Sequence, residues 1–281
     1  MTQPLTQTRS SGHPVPIGRR TALALTAASI CGLFAFAWPL IGAANSTAIT
    51  HASQTPWLFA VLLPLVIVVV LADLADGGLD AKGIALIGVL SAIAAALRPF
   101  GGGHAGFEPM WIVIILGGRV LGPGAGFGIG AIGMFASALL TGGVGPWLAF
   151  QMIAAGWVGL FAGLLPRATG KRELMLLAGY AAAACITYGF LLNLWFWPTL
   201  TVSGTLPESI SFIPGAGFAT NIAHWLRFSV ATSLGFDIPR AALTVILILV
   251  AGRPILNALR RASRRAAFDV PVEFTPARSA I

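Results

Sequence analysis

The sequence predicts an all-α fold, a polytopic membrane helical bundle of about eight spans. Of the 281 residues, 57% are hydrophobic and only 9% charged, with mean hydropathy +0.86; a soluble domain carries about a quarter charged residues. Several apolar runs reach the roughly 18 residues that read as a spanning helix. The basic residues gather in the tails and in loops between runs, as the positive-inside bias requires. The net charge of +8 therefore reads as membrane topology. A lipid bilayer is the expected surroundings, and no nucleic-acid partner is expected.

Residues 1–18 are polar and rich in Thr, Ser and Pro, a composition that predicts a disordered cytoplasmic N-terminus. Arg19 and Arg20 precede the first span, 21–42. Ala43-Ala44-Asn45 has the look of a signal-cleavage end, but the run before it is long enough to span and a signal core is shorter. An uncharged loop, 43–55, leads to a second span, 56–72. The turn 73–82, with Asp73, Asp76, Asp80 and Lys82, is the clearest internal boundary. It divides two N-terminal spans (19–80) from a six-helix core (81–258), after which comes a basic cytoplasmic tail (259–281).

The core spans are expected at 83–97, 109–121, 124–140, 147–165, 174–197 and 239–256. Eight spans put both termini on one side. Arg9, Arg19, Arg20, Lys82, Arg119, Arg167, Lys171, Arg172 and the tail arginines then fall inside, against Arg98 and Arg227 outside and Arg240 near the edge. The expected location is the plasma membrane, multi-pass, with both termini cytoplasmic. Segment 218–236 places Phe218, Ile222, Trp225, Leu226 and Val230 on one helical face and Thr220, His224 and Arg227 on the other. A ninth span here would move the basic tail outside, so the segment reads as an amphipathic helix over the outer mouth.

Gly122, Gly126 and Gly130 recur at i+4, with Gly133 nearby, and Gly159 and Gly163 repeat the spacing; small residues let helix backbones approach closely in lipid. Gly122-Pro123-Gly124-Ala125-Gly126 lacks the Lys-Ser/Thr ending of a phosphate loop, so no ATPase is expected in this chain. Ala81 with Ala85, and Ala24 with Ala28, form small-xxx-small pairs, read either as ordinary packing or as a docking groove for a partner helix. Glu108 beside Pro109 is either a helix-start acid or a polar contact at the outer mouth. Asp237, before Pro239 and Arg240, reads as an N-cap.

Gln151 and Asn193 lie inside spans near their outer ends, with Trp147, Tyr188, Trp195 and Trp197 close in sequence. The tryptophans alone read as a boundary belt, but two amides at one depth in lipid need partners and point to a polar and aromatic pocket. Cys31 and Cys185 read as packing residues. His104 and His224 lack metal-ligand spacing, so neither a metal nor a cofactor is expected. No Asp, Glu or Lys sits at the middle of a span, where a gradient-driven carrier usually places one. No nucleophile and base pair is visible, so no catalytic residues are expected. A binding component that borrows energy from another protein fits these features best.

The run Gly117-Gly118-Arg119-Val120-Leu121-Gly122-Pro123, the glycine ladder, Gly145-Pro146-Trp147 with Gln151-Met152, and Ala162-Gly163-Leu164-Leu165-Pro166-Arg167 together resemble the substrate-binding membrane subunit of energy-coupling factor transporters. Segments 188–198 and 232–240 are similar to it as well, and the resemblance, strongest to the actinobacterial type related to cobalamin-binding members, covers about 81–266. It implies six helices that bind a vitamin or vitamin-like solute at the outer face, cobalamin or another corrinoid being favoured. It also implies docking onto a transmembrane coupling protein driven by two ATPase subunits. Carried over, the solute contacts fall on Phe107, Glu108, Trp147, Gln151, Asn193 and Trp195. The alanine docking motif falls on Ala81 and Ala85, with Ala92 and Ala96, or Ala24 and Ala28, as competitors. The other function classes are a stand-alone secondary carrier or channel and a membrane scaffold.

Overall fold

The structure, a computed structural model, describes residues 18–41, 68–69, 81–101, 106–202, 204 and 206–266. Among them every regular element is helical: α1 (Arg19–Ile41), α2 (Ala81–Leu97), α3 (Met110–Leu121), α4 (Pro123–Thr141), α5 (Leu148–Leu164), α6 (Gly170–Val202), α7 (Phe218–Thr232) and α8 (Leu234–Ala266), with 3-10 turns at Arg98–Gly101 and Glu208–Ile210. Seven of the eight expected spans are these helices. The span 56–72, apart from two residues, the acidic turn, His104 and the end of the tail lie outside the described residues. Five helices are long and apolar enough to cross a membrane, and α3 and α5 are shorter apolar helices.

The centre of the bundle is a seam where α3, α4 and α5 meet backbone to backbone. A Cβ added at Gly118 or at Gly126 would overlap the Gly159 carbonyl oxygen, and one added at Gly159 would overlap the Gly126 carbonyl. One turn along, a Cβ at Gly130 would overlap the Ala155 carbonyl, and at Gly163 it would lie 2.6 Å from the Pro123 nitrogen. The i+4 glycine spacing therefore serves intramolecular packing, as small residues do in lipid, and the seam is buried within the chain. Gly122 alone joins α3 to α4. It adopts φ 106°, a conformation that L side chains rarely take, while Pro123 opens the next helix at a position where its missing N–H is no loss.

α1 buries into the same core. Ala28 is fully buried, Gly32 packs on Ile153 and Trp157, and Ser29 accepts a hydrogen bond from Trp157 Nε1 at 3.0 Å. The Ala28 side of α1 is thus occupied by its own bundle, while Ala24 is partly buried against it. Phe36 sits edge-on to Phe150, with ring centroids 5.1 Å apart.

Polar clusters mark the two ends. At one, Arg119 Nε donates to Glu173 at 2.8 Å and its Nη1 donates to the carbonyls of Leu165 and Pro166, while Arg260 donates to the same carboxylate at 2.6 Å. This ties α3, α6 and α8 together. Exposed Arg167, Lys171, Arg172, Arg253, Arg261 and Arg264 surround it, and it is the basic end. At the other, Glu108 accepts from Trp111 Nε1 and Arg240 Nε, each at 3.0 Å, and pairs with Arg98 at 3.6 Å. Arg240 also binds Asp237, which accepts from Ser233 Oγ at 2.6 Å. Arg240 and Arg260 are twenty residues apart on α8, about 30 Å at the helical rise, which is the thickness of a bilayer's hydrocarbon core. The clusters thus bracket one membrane width.

Two expectations are corrected. Asp237 is not an N-cap: α8 begins at Leu234, so Asp237 lies inside its first turn, and its carboxylate serves Ser233 and Arg240. Segment 218–232 is helical, but the expected division of its faces does not hold: Thr220 and Arg227 are exposed, Phe228 is fully buried, and Trp225 packs against the core. Phe218, Leu226 and Val230 are exposed while Asn221 and Ser229 are buried. Asn221 hydrogen-bonds the Ile213 amide and the Ile213 and Ala216 carbonyls, and His224 Nδ1 lies 2.9 Å from the Ser211 carbonyl. The loop 206–217 needs these partners, because backbone groups removed from water must be paired, while Phe228 packs on Trp197 and Trp225 on Phe190.

Candidate functional site

Beyond the buried ion network, the same end holds a pocket of about 260 Å³ between the start of α5 and the last third of α6, lined by Trp147, Gln151, Leu192, Asn193, Trp195 and Phe196. The glycine-rich turn before α5 shapes it. Gly142, at φ 67°, caps α4 with its N–H on the Ala138 carbonyl, a left-handed C-cap that glycine adopts without strain. A Cβ on Gly145 would run into the Trp147 ring, so only glycine lets the indole fold back, where its Nε1 donates to the Gly143 carbonyl at 3.1 Å. Trp147 and Gln151 then share one side of the α5 start, one turn apart. On α6, Leu192 and Phe196 are likewise spaced by four, with Asn193 between them.

Rings form the walls. Trp147 meets Trp195 edge-on at 6.3 Å, Trp195 stacks with Phe196 at 6.0 Å and 21°, and Phe150 supports Trp195 from behind at 5.8 Å. Phe36 of α1 backs Phe150 in turn. Within this apolar frame, Gln151 Oε1, Asn193 Nδ2 and Trp195 Nε1 are buried without a hydrogen-bond partner. Buried polar atoms are nearly always paired; among the described residues Trp38 Nε1, Ser91 Oγ, Thr199 Oγ1, Trp225 Nε1 and Ser229 Oγ are unpaired as well, and those of Gln151, Asn193 and Trp195 are the three contributed by the pocket lining. No charged side chain lines it. Asn193 lies twenty residues from Glu173 on α6, again about 30 Å; the pocket stands one membrane width from the basic end.

Four of the six residues expected at the site, Trp147, Gln151, Asn193 and Trp195, come together here. The other two do not line the pocket. Phe107 is half exposed, and Glu108 is buried in the ion network with Trp111, Arg98 and Arg240. Trp197 turns away as well, donating to the Ile210 carbonyl and packing on Phe212 and Phe228. Sequence reasoning missed Leu192, which adjoins Asn193, and did not name Phe196 as a contact although it lies within the stretch 193–197. It also missed the supporting pair Phe36 and Phe150, whose separation along the chain leaves no local signal.

On the other flank, α2 presents Ile84, Ala85, Val89, Ala92, Ile93 and Ala96 outward, and a Cβ on Gly88 would meet open space. The side chain of Ala81 lies outside the described residues. Among the described residues no group of three His, Cys, Asp or Glu is placed to hold a metal ion.

A family model described as "ECF transporter, substrate-specific component" matches residues 82–252, from the start of α2 well into α8. No curated protein and no solved structure matches the chain.

Proposed function

Because the chain belongs to the ECF transporter substrate-specific component family, and is therefore a membrane subunit for substrate recognition in transport, we propose that its solute site is the pocket at Trp147, Gln151, Asn193 and Trp195. The observation that carries this reading is an aromatic-walled pocket whose lining brings together two carboxamides and an indole, each with a buried polar atom that has no hydrogen-bond partner. The pocket end faces outward and the basic end, with both termini, faces the cytoplasm, as the charge bias favours. The chain captures a vitamin-type solute there and delivers it through a transmembrane coupling protein powered by two ATPase subunits.

The resemblance favoured a corrinoid. A volume of about 260 Å³ lies below the usual range of drug-sized ligand pockets, about 300–1,000 Å³, and supports a much more compact solute. Phe107 and Glu108 stand at the same end, with Glu108 holding the frame through Arg240 while Phe107 is available to a solute entering the mouth.

Docking falls on the outward face of α2. Its small residues, Ala85, Gly88, Ala92 and Ala96, form a strip on which a partner helix can approach closely, and Ala81 continues the spacing. Ala85→Trp is expected to block capture of the coupling protein while solute binding persists; normal uptake by that variant would remove Ala85 from the docking face. Asn193→Ala is expected to weaken solute binding about tenfold, the loss of roughly one hydrogen bond, with assembly intact. Titration of the solute identified by mass spectrometry after gentle purification measures this, and unchanged affinity would take Asn193 out of the site.

The test of the whole reading is co-purification with a helical coupling protein and two ATPases, followed by uptake in liposomes with and without them. Transport that requires those partners supports it. Uptake by this chain alone under an ion gradient would make it a secondary carrier. Neither partner nor solute would make it a scaffold.

A further inference from the structure

We infer that the solute taken by this pocket is an uncharged, planar aromatic or heteroaromatic molecule that presents an amide or lactam edge, an inference that rests on the pocket being the solute site. Charge is the first constraint. The pocket lining holds no ionisable side chain. Of the arginines at this end, Arg240 is held by Glu108 and Asp237 and Arg98 by Glu108 and the Ser137 hydroxyl, while Arg227 is exposed on α7 and does not line the pocket. An anionic solute in the pocket would lose its hydration with no cation in the lining to replace it, and a cation would find no carboxylate there. Burying an unpaired charge is strongly unfavourable.

Hydrogen-bond complementarity is the second. Gln151 and Asn193 each bring a carboxamide to the pocket lining, and Trp195 an indole N–H. A carboxamide carries a donor side and an acceptor side whichever way it is turned. Two carboxamides and an indole N–H therefore match a group with a carbonyl oxygen beside an N–H, which accepts from Asn193 or Trp195 and donates to Gln151. A carboxylate accepts only, and would leave the Gln151 carbonyl facing a like partial charge. An amidinium donates only, and would leave both N–H donors opposed.

Shape is the third. The indole of Trp195 and the ring of Phe196 lie nearly parallel, at 21°, with Trp147 set at 63° to Trp195. Aromatic faces and edges take flat partners in offset-stacked or edge-on arrangements. Leu192 supplies an aliphatic floor, and about 260 Å³ accommodates one or two fused rings.

The experiment uses the full chain in lipid nanodiscs and three probes of one size and shape: benzamide, benzoate and benzamidinium, which differ only in charge and in donor and acceptor count. Titration calorimetry is expected to show benzamide binding at least tenfold more tightly than either ion, and Asn193→Asp is expected to reverse the order between benzamide and benzamidinium. Tighter binding of benzoate or benzamidinium to the wild-type chain would overturn the inference. So would no binding of benzamide up to its solubility limit, or an Asn193→Asp chain that folds and keeps the wild-type order. The coupling module's co-purification and the uptake assay use none of these probes. If they succeed while an ion binds best, the solute class fails alone; if they fail, the reading of the chain as a coupled subunit fails whichever probe binds.

Discussion

Replacing Gly159 by leucine is expected to leave no folded bundle. At this position the α5 backbone lies against two others, since a Cβ would overlap the Gly126 carbonyl oxygen, and Cβ atoms on Gly118 or Gly126 would overlap the Gly159 carbonyl. Overpacking a core typically costs about 1–3 kcal/mol when side chains can give way. Here the atoms in the way are main chain, held in three helices at once, so relief requires helix axes to separate and the surrounding core to open. With native stability of about 5–15 kcal/mol, leucine is expected to exhaust it, and alanine is expected to cost more than about 3 kcal/mol on the same principle. Yield and monodispersity in detergent, with thermal unfolding for the alanine variant, measure the effect. Gly179 is the control: nothing stands within 4 Å of its added Cβ, so Gly179→Ala is expected to be neutral or slightly stabilising through helix propensity. Equal behaviour of Gly159→Ala and Gly179→Ala would dismiss the three-helix seam.

Glu108→Ala is expected to destabilise the chain by about 3–5 kcal/mol, the usual result of removing one partner from a buried ion pair. Glu108 is 8% exposed, and its carboxylate serves Arg240, Arg98 and the Trp111 indole. Without it, the α2 turn, the start of α3 and the start of α8 lose their common acceptor. Arg240 keeps only Asp237, with the rings of Tyr188 and Trp111 at 5.2 and 5.9 Å. Solute affinity measured on the fraction that folds should remain within about twofold of wild type, since the carboxylate does not line the pocket. A loss of affinity with unchanged thermal stability would restore Glu108 to direct solute contact.

Much of this molecule was legible in the chain because lipid imposes a simple rule. Backbone groups without water must pair within a helix, so apolar runs mark the helices, and seven of the expected spans coincide with helices of the structure, five of them of spanning length. Glycines spaced by four announced close packing, and the structure adds which carbonyls they meet. The amides Gln151 and Asn193, read as expensive in lipid, do converge with Trp147 and Trp195. Glu108 was ambiguous because its partners, Arg98 and Arg240, come from the turn after α2 and from α8, and no local pattern names a partner 132 residues away. In sequence the α7 segment reads as two clean faces, one apolar and one polar, and its burial follows neither. In this fold the buried stripe is Asn221, Phe228 and Ser229, with Asn221 serving the loop 206–217, while Phe218, Leu226 and Val230 are exposed along with Thr220 and Arg227.

The sequence by itself determined the all-helical membrane class, most helix positions and the family resemblance, because hydropathy, glycine spacing and turn chemistry are local properties of the chain. Only the tertiary structure decided that α1 buries its Ala28 side in the bundle while α2 keeps its small residues outward. It alone separated Glu108 in an ion network from Gln151, Asn193 and Trp195 around a pocket. The physical reason is the same in each case. Burial and hydrogen-bond pairing depend on which distant segments share a depth and a face, and that is settled by packing among helices, not by any one of them.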